Sequence, residues 1–358
     1  MPLKLSLRPG EKFVVNGAVV QNGDRRAALV LQNGVHWIEA NGSTRRFAAQ
    51  VLASVTVLSL LFGAGVILSL IWGGSFLFIA IAVKELPALL IVLARVGLAA
   101  LIIIPAHLLI IGKLPRDLKT WIACGGMSIM NNVLPFTAIS WGQHHITGGL
   151  ASVINATTPM FAALFMAVFG LEGITLRKAV ALALGFVGVL ILKGGGFGDL
   201  GDQTLGILAV VFASMTYGLS APWSKVKLQG IPPLTIATCQ LTLSAIIMAV
   251  IVLIFSDVQL YAAASQETWV ALVLLAALST SVAYLLFFRI IERAGPSFVS
   301  LVTMIIPVSA ILLGYLVIGE KLTMREVVGA LVIGLALLII DGRVLRYVGL
   351  GAAQSPRP

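Results

Sequence analysis

Between residues 60 and 345 the chain alternates long apolar runs with short breaks of charged residues, glycine or proline. A helix needs about 20 mainly apolar residues to cross the hydrocarbon core of a bilayer. By that measure the pattern predicts ten membrane helices, near 60–83, 87–111, 120–142, 147–170, 176–193, 204–224, 232–255, 268–290, 295–319 and 325–345, with the first apolar run already starting near Val51. Residues 1–46 read differently. The runs KFVV, AVVQ, AALVLQ and VHWIE are separated by Asn-Gly pairs at 16–17, 22–23, 33–34 and 41–42. Such pairs suit type I′ turns, whose two central residues both need φ > 0. The pattern therefore predicts a short β-hairpin-like segment ahead of an all-α integral membrane protein.

The apolar part repeats itself. Ser152, Pro159, Ala162, Glu172, Thr175, Arg177 and Val180 recur as Ser300, Pro307, Ala310, Glu320, Thr323, Arg325 and Val328, always 148 positions on. Earlier in each half, Trp72-Gly73 and Pro87 recur as Tyr217-Gly218 and Pro232, 145 positions on. The chain then divides into a hairpin-like extension (1–46), two five-helix repeats (51–193 and 204–345) and a tail (346–358). Because five is odd, the second repeat must enter the membrane in the opposite sense to the first. Inverted repeats of this kind are an architecture of secondary transporters, with the site near the bilayer midplane between the halves.

Composition agrees. Of 358 residues, 59% are hydrophobic and 11% charged, against roughly 25% charged in soluble domains. The formal charge of +10 raises the question of nucleic acid. The distribution of the basic residues answers it. With the N-terminus inside, 12 basic residues (Lys113, Arg116, Lys119, Arg177, Lys178, Lys225, Lys227, Arg289, Arg293, Arg343, Arg346 and Arg357) lie on inner loops and tail. Only 4 (Lys84, Lys193, Lys321 and Arg325) lie outside. The bias places both termini in the cytoplasm of a cell-membrane protein and leaves no nucleic-acid partner to expect. No cleavable signal peptide is read at the N-terminus. Cys124 and Cys239 both sit in apolar runs, so neither a disulfide framework nor a zinc site is expected, and no cofactor or metal is implied.

Polar side chains at mid-helix cost free energy in lipid and usually face neighbours or a water-filled cavity. The repeat selects among them. Asn131 and Asn132 map onto Ser279 and Thr280, Asn155 onto Thr303, and Trp72 onto Tyr217. These eight residues are the candidate substrate-binding set. The competing reading is that the hydroxyls bond their own helix and the asparagines a neighbouring one. Pro159 and Pro307 each remove a helical hydrogen bond, and they would free the carbonyls of Asn155 and Thr303. Arg95 is the one strong charge inside a span. Eight residues in from Pro87, it has the reach to snorkel toward the outer face, for gating or structural use, and no intramembrane carboxylate is there to pair with it. Glu172 and Glu320 stand three residues before Thr175 and Thr323, which read as N-caps of the fifth and tenth helices. The glutamates are expected to favour the positive ends of those two helices. Ala181 with Gly185, and Ala330 with Gly334, read as close-packing positions of the same helices.

The stretches SLIWGGSFLFIAIAV, ARVGLAAL, ATTPMFAALFMAVFGLEGITLRKAVALALGFVGVLIL and IIPVSAILLGYLVIGEKLTMREVVGALVIGLALLI resemble the EamA-type transporters of the drug/metabolite transporter superfamily, over residues 60–343. The resemblance implies ten helices in inverted repeats, a central cavity, and movement of small metabolites, often export of amino acids or related compounds. The opening MPLKLSLRPGEKFVVNGAVVQNGDRRAALVLQN resembles the start of the FlbT flagellar regulators, and stops near Asn33. An enzyme is not expected: the chain has no HExxH, no GxSxG and no aspartate inside a span. A non-transporting membrane sensor is the alternative.

Overall fold

The computed structural model describes the backbone of residues 3–7, 12–15, 18–21, 27–31, 44–194, 201–294 and 296–342, with side chains for 62–194, 201–287, 289–290 and 302–342. The four Asn-Gly pairs and the tail lie outside the described residues. The first 63 residues form a unit of their own. In it β1 (Leu3–Leu7) pairs antiparallel with β4 (Ala27–Leu31), and β2 (Lys12–Val15) with β3 (Ala18–Gln21).

The remainder is helical. In chain order the helices are α1 (Thr44–Ala82), α2 (Ala88–Ile110), α3 (Leu118–Ser128 continuing as Leu134–Gly142), α4 (Gly148–Asn155 continuing as Thr158–Val168) and α5 (Leu176–Lys193). They continue with α6 (Asp202–Lys227), α7 (Pro233–Phe255), α8 (Gln266–Ala276 continuing as Ala283–Ala294), α9 (Pro296–Ile318) and α10 (Met324–Asp341). Among the described residues seven helices are long and apolar enough to cross a membrane, and Val302–Ile318 is a shorter apolar one. Starts are set by side-chain caps. Asp117, Thr147, Thr175 and Ser265 each accept the backbone N–H three residues on, and Thr323 with Glu326 forms a capping box.

The repeat in the sequence is also a repeat of contacts. Ser69 Oγ of α1 donates to the carbonyl of Val302 on α9 at 2.9 Å. Its counterpart, Ser214 of α6, donates to the carbonyl of Ile154 on α4 at 3.2 Å. One turn on, a Cβ on Gly73 would overlap Ser309 and come within 2.8 Å of the Ala310 nitrogen. A Cβ on Gly218 would meet Phe161 and come within 2.8 Å of the Ala162 nitrogen. Each serine–glycine pair therefore lets a helix of one repeat cross a helix of the other at backbone distance, as small residues do where lipid supplies no hydrophobic drive.

Helices α5 and α10 pack through Gly188 and Gly329: the space a Cβ on Gly188 would need is taken by Ile333, that on Gly329 by Leu192, and each glycine's carbonyl lies within 3.2 Å of the other's Cβ position. The small-residue pairs read from sequence divide: a Cβ on Gly185 would overlap Met160 of α4, so the helix packs closely there, whereas Gly334 has no atom within 4 Å of a built Cβ and is no packing position.

Candidate functional site

Both α3 and α8 are interrupted at mid-length by a π-helical turn, Ile129–Val133 and Ala277–Val282. The turns fall on repeat-related positions and contain the two candidate pairs, Asn131-Asn132 and Ser279-Thr280. In the first, the N–H of Leu134 reaches back five residues to the carbonyl of Ile129. In the second, hydroxyls take up carbonyls five residues back, Thr280 to Leu275 at 2.9 Å and Ser281 to Ala276 at 3.0 Å. Single π turns inside α-helices occur often at functional sites.

The turns hold a buried polar cluster. Arg95 of α2 is 7% exposed. It does not snorkel. Its Nε donates to Thr280 Oγ1 at 3.1 Å, and its guanidinium lies 3.5 Å from the centre of the Phe136 ring. Thr280 can accept because its own proton is committed to Leu275. The electrostatic neighbours of Arg95 are the hydroxyls of Tyr217 and Tyr284. Tyr284 donates to Asn132 Oδ1 at 3.1 Å and lies 3.5 Å from Asn131 Nδ2. Asn132 Nδ2 donates to Ser244 Oγ at 3.0 Å, and Ser244 donates to the carbonyl of Gln240 at 2.6 Å and meets Ser128 Oγ at 2.8 Å. The salt bridges among the described residues lie elsewhere, on Glu172, so no carboxylate neutralises Arg95 there.

Five of the predicted residues are thus brought together: Asn131, Asn132, Thr280, Tyr217 and Arg95. Four other candidates remain. Ser279 donates to the carbonyl of Ile71, and Trp72 packs at a tilt against Phe287 with centroids 5.4 Å apart, so both serve the α1–α8 contact. Thr303 is half-buried on α9. Asn155 ends the first part of α4, and its buried Oδ1 has no hydrogen-bond partner among the described residues.

The expectation that Pro159 frees the Asn155 carbonyl is corrected. Proline does break α4 there, but Thr158 Oγ1 donates to that carbonyl at 2.7 Å. Its counterpart Pro307 lies inside α9, which runs unbroken. The expected placing of the glutamates is also corrected. Glu320 turns away from α10 to the N-terminus of α4, and Glu172 bonds Lys178 at 3.1 Å and Lys225 at 3.3 Å. The hydrogen bond from Lys178 holds the Glu172 carboxyl below its ordinary range. The capping of α10 falls to Glu326 instead.

The residues missed were Phe136, Tyr284, Gln240 and Ser244. The repeat would have found Gln240, which lies 145 positions on from Arg95; it also relates Phe136 to Tyr284, 148 positions on. The first residue of each pair is also in contact with the other, since the Arg95 guanidinium lies over the Phe136 ring.

Comparison with known proteins agrees with this duplicated architecture. The sequence profile of the EamA-like transporter family matches twice, at residues 52–193 and 204–341. A protein of Bacillus subtilis (strain 168) named as an uncharacterized transporter, YoaV, is 25% identical over 271 residues, 74% of this chain and 91% of its own. The uncharacterized inner membrane transporter YedA of Escherichia coli (strain K12) is 27% identical over 282 residues, 78% of this chain and 90% of its own. One crystal structure superposes with a TM-score of 0.57 at 17% identity, over 81% of this chain and 99% of that one, a likeness of fold. The profile of the flagellar protein FlbT matches residues 3–42. The flagellum biosynthesis repressor FlbT of Caulobacter vibrioides (strain ATCC 19089 / CIP 103742 / CB 15) is 88% identical over 33 residues, 9% of this chain and 23% of its own.

Proposed function

The chain belongs to the EamA-like transporter family, and from that premise we propose that it carries small metabolites across the cell membrane by alternating access at a site between two inverted repeats. The observation that carries this is the Arg95–Asn132–Thr280–Tyr284 cluster. It is polar, buried, drawn from both repeats, and built on two repeat-related π turns. Such a cluster is costly in lipid unless used. In this reading all ten helices cross the bilayer and both termini are cytoplasmic. The transported class is amino acids or related compounds, and the direction is export. Trp72 and Ser279 then support the site through the α1–α8 contact, while Asn155 offers it an open acceptor. The FlbT-like segment stands outside the ten-helix unit and takes no part in transport.

The test begins with an unbiased screen of metabolites accumulating outside cells that overexpress the protein. The compound found is then followed in proteoliposomes. Flux above empty vesicles that falls at least tenfold in Asn132→Ala, with the variant still folded, supports the reading. No flux of any accumulating compound would favour the membrane sensor instead.

A further inference from the structure

We infer that Glu320 is a latch holding shut the face that carries the α3–α4 and α9–α10 connections, and that Glu172 is its released counterpart on the opposite face. The inference rests on the two-repeat transporter reading and adds the contact that decides which face is open.

The geometry is specific. The Glu320 carboxylate accepts the N–H of Gly148 through Oε1 at 3.0 Å and that of Gly149 through Oε2 at 3.2 Å. These are leading amides of α4, so the acid meets two unsatisfied donors and the positive end of a helix dipole. Hydrogen bonds to an ionised acceptor are roughly twice as strong as neutral ones. The contact ties residues more than 170 positions apart, a loop of the second repeat to a helix of the first. The surroundings are cut to fit it. Glu320 N–H is held by the carbonyl of Gly314 at 3.1 Å, and a Cβ on Gly314 would come within 2.7 Å of Oε2.

The repeat supplies the other half of the argument. Moving back 148 positions takes Glu320 to Glu172; moving forward 148 takes Gly148 and Gly149 to Pro296 and Ser297, the first residues of α9. The equivalent contact would place Glu172 on the N-terminus of α9. Glu172 instead bonds Lys178 and Lys225, with its side chain 45% exposed. One face is latched and the other is not. In a protein of two inverted repeats, exchanging the shapes of the halves exchanges the open face. In the exchanged state Glu172 takes the α9 amides and Glu320 lets go. The two latches are unequal in chemistry, because Pro296 has no N–H to give where Gly148 has one. The sequence thus biases the protein toward the state in which Glu320 is engaged.

Spin-label distances in the full-length protein in lipid nanodiscs test this without a substrate. Labels go on His144→Cys and Lys321→Cys, both exposed, with the buried Cys124 and Cys239 replaced by alanine. The unaltered latch is expected to give mainly the short distance. Glu320→Gln is expected to raise the ratio of long to short distances about tenfold. Pro296→Gly, which restores the missing donor, is expected to raise it without touching Glu320, and Glu172→Gln is expected to abolish that rise. An unchanged distribution in Glu320→Gln would overturn the latch. A rise in Pro296→Gly that survives Glu172→Gln would overturn the counterpart. If Glu320→Gln does not fold, the Pro296→Gly and Glu172→Gln pair decides alone. Absence of flux in proteoliposomes would count against transport and is read separately from these distances.

Discussion

Replacing Arg95 by methionine separates what the cation does for stability from what it does for transport. The substitution removes the guanidinium and keeps most of the side chain's length, so it opens little cavity. Arginine near a helix centre costs about 2.5–3.5 kcal/mol on insertion scales. Two contacts offset this. The bond from Nε to Thr280 is interhelical, a kind worth about 0.6–1.7 kcal/mol. The stacking on Phe136 is a desolvated cation–π contact, worth about 2 kcal/mol. Together they reach roughly 3 kcal/mol, so cost and gain cancel to within about 1 kcal/mol. Arg95→Met is therefore expected to unfold within about 1 kcal/mol of the parent in an SDS titration from mixed micelles. Flux of the compound found by the export screen is expected to fall at least tenfold, because the buried cation beside the π turns is gone. A loss of stability above about 3 kcal/mol would show that the contacts of Arg95 far outweigh its insertion cost and that it is retained to hold helices together. Normal flux in a folded variant would remove Arg95 from the site.

Three further outcomes follow from the same contacts. Asn132→Ala and Ser244→Ala, measured singly and together, are expected to couple by about 0.6–1.7 kcal/mol, and additive effects would deny the α3–α7 bond any weight. Gly188→Ala is expected to cost about 1–3 kcal/mol, because its Cβ would come within 3.2 Å of the Gly329 carbonyl and the Ile333 nitrogen; Gly334→Ala, with open space around it, should be neutral or mildly stabilising in the same SDS titration. Lys225→Ala is expected to change stability by under about 1 kcal/mol, since its bridge to Glu172 is exposed. The Glu172 carboxyl is depressed in the folded state, so its contribution is present above the ordinary carboxylate pKa and fades as pH falls through the depressed value; an acid titration of Lys225→Ala should diverge least from the parent at the acid end.

The helices were legible because lipid imposes a length and an apolar composition that few soluble elements share. The repeat was legible because it keeps Pro, Glu and Thr at fixed spacing where apolar residues interchange freely. Asn132 and Thr280 could be picked out by combining the two, since a polar residue deep in a span is rare and a repeated one rarer. What was not legible was direction. Sequence places Ser279 beside Thr280 but cannot say that one hydroxyl turns to the Ile71 carbonyl and the other to Arg95. It sets Glu320 three residues before a capping threonine, and local logic assigns it to α10. The donors it takes lie on a helix distant in sequence and adjacent only after the fold has formed. Tyr284 was passed over because tyrosine is ordinary in an apolar run, and only the neighbour that needs its hydroxyl makes it part of the site.

The two π turns also change how α3 and α8 must be counted. An α-helix advances about 100° per residue, so one extra residue in a turn rotates everything beyond it by about that angle relative to an unbroken helix. Leu118–Ser128 and Leu134–Gly142 therefore follow two different angular frames, and so do Gln266–Ala276 and Ala283–Ala294. A single helical wheel drawn through either helix assigns the wrong side to half its residues. Deleting one residue within Ile129–Val133 would therefore be absorbed rather than transmitted: the turn would close to α geometry, and Phe136 and its neighbours would keep their side of the axis while the polar side chains of the turn would lose theirs.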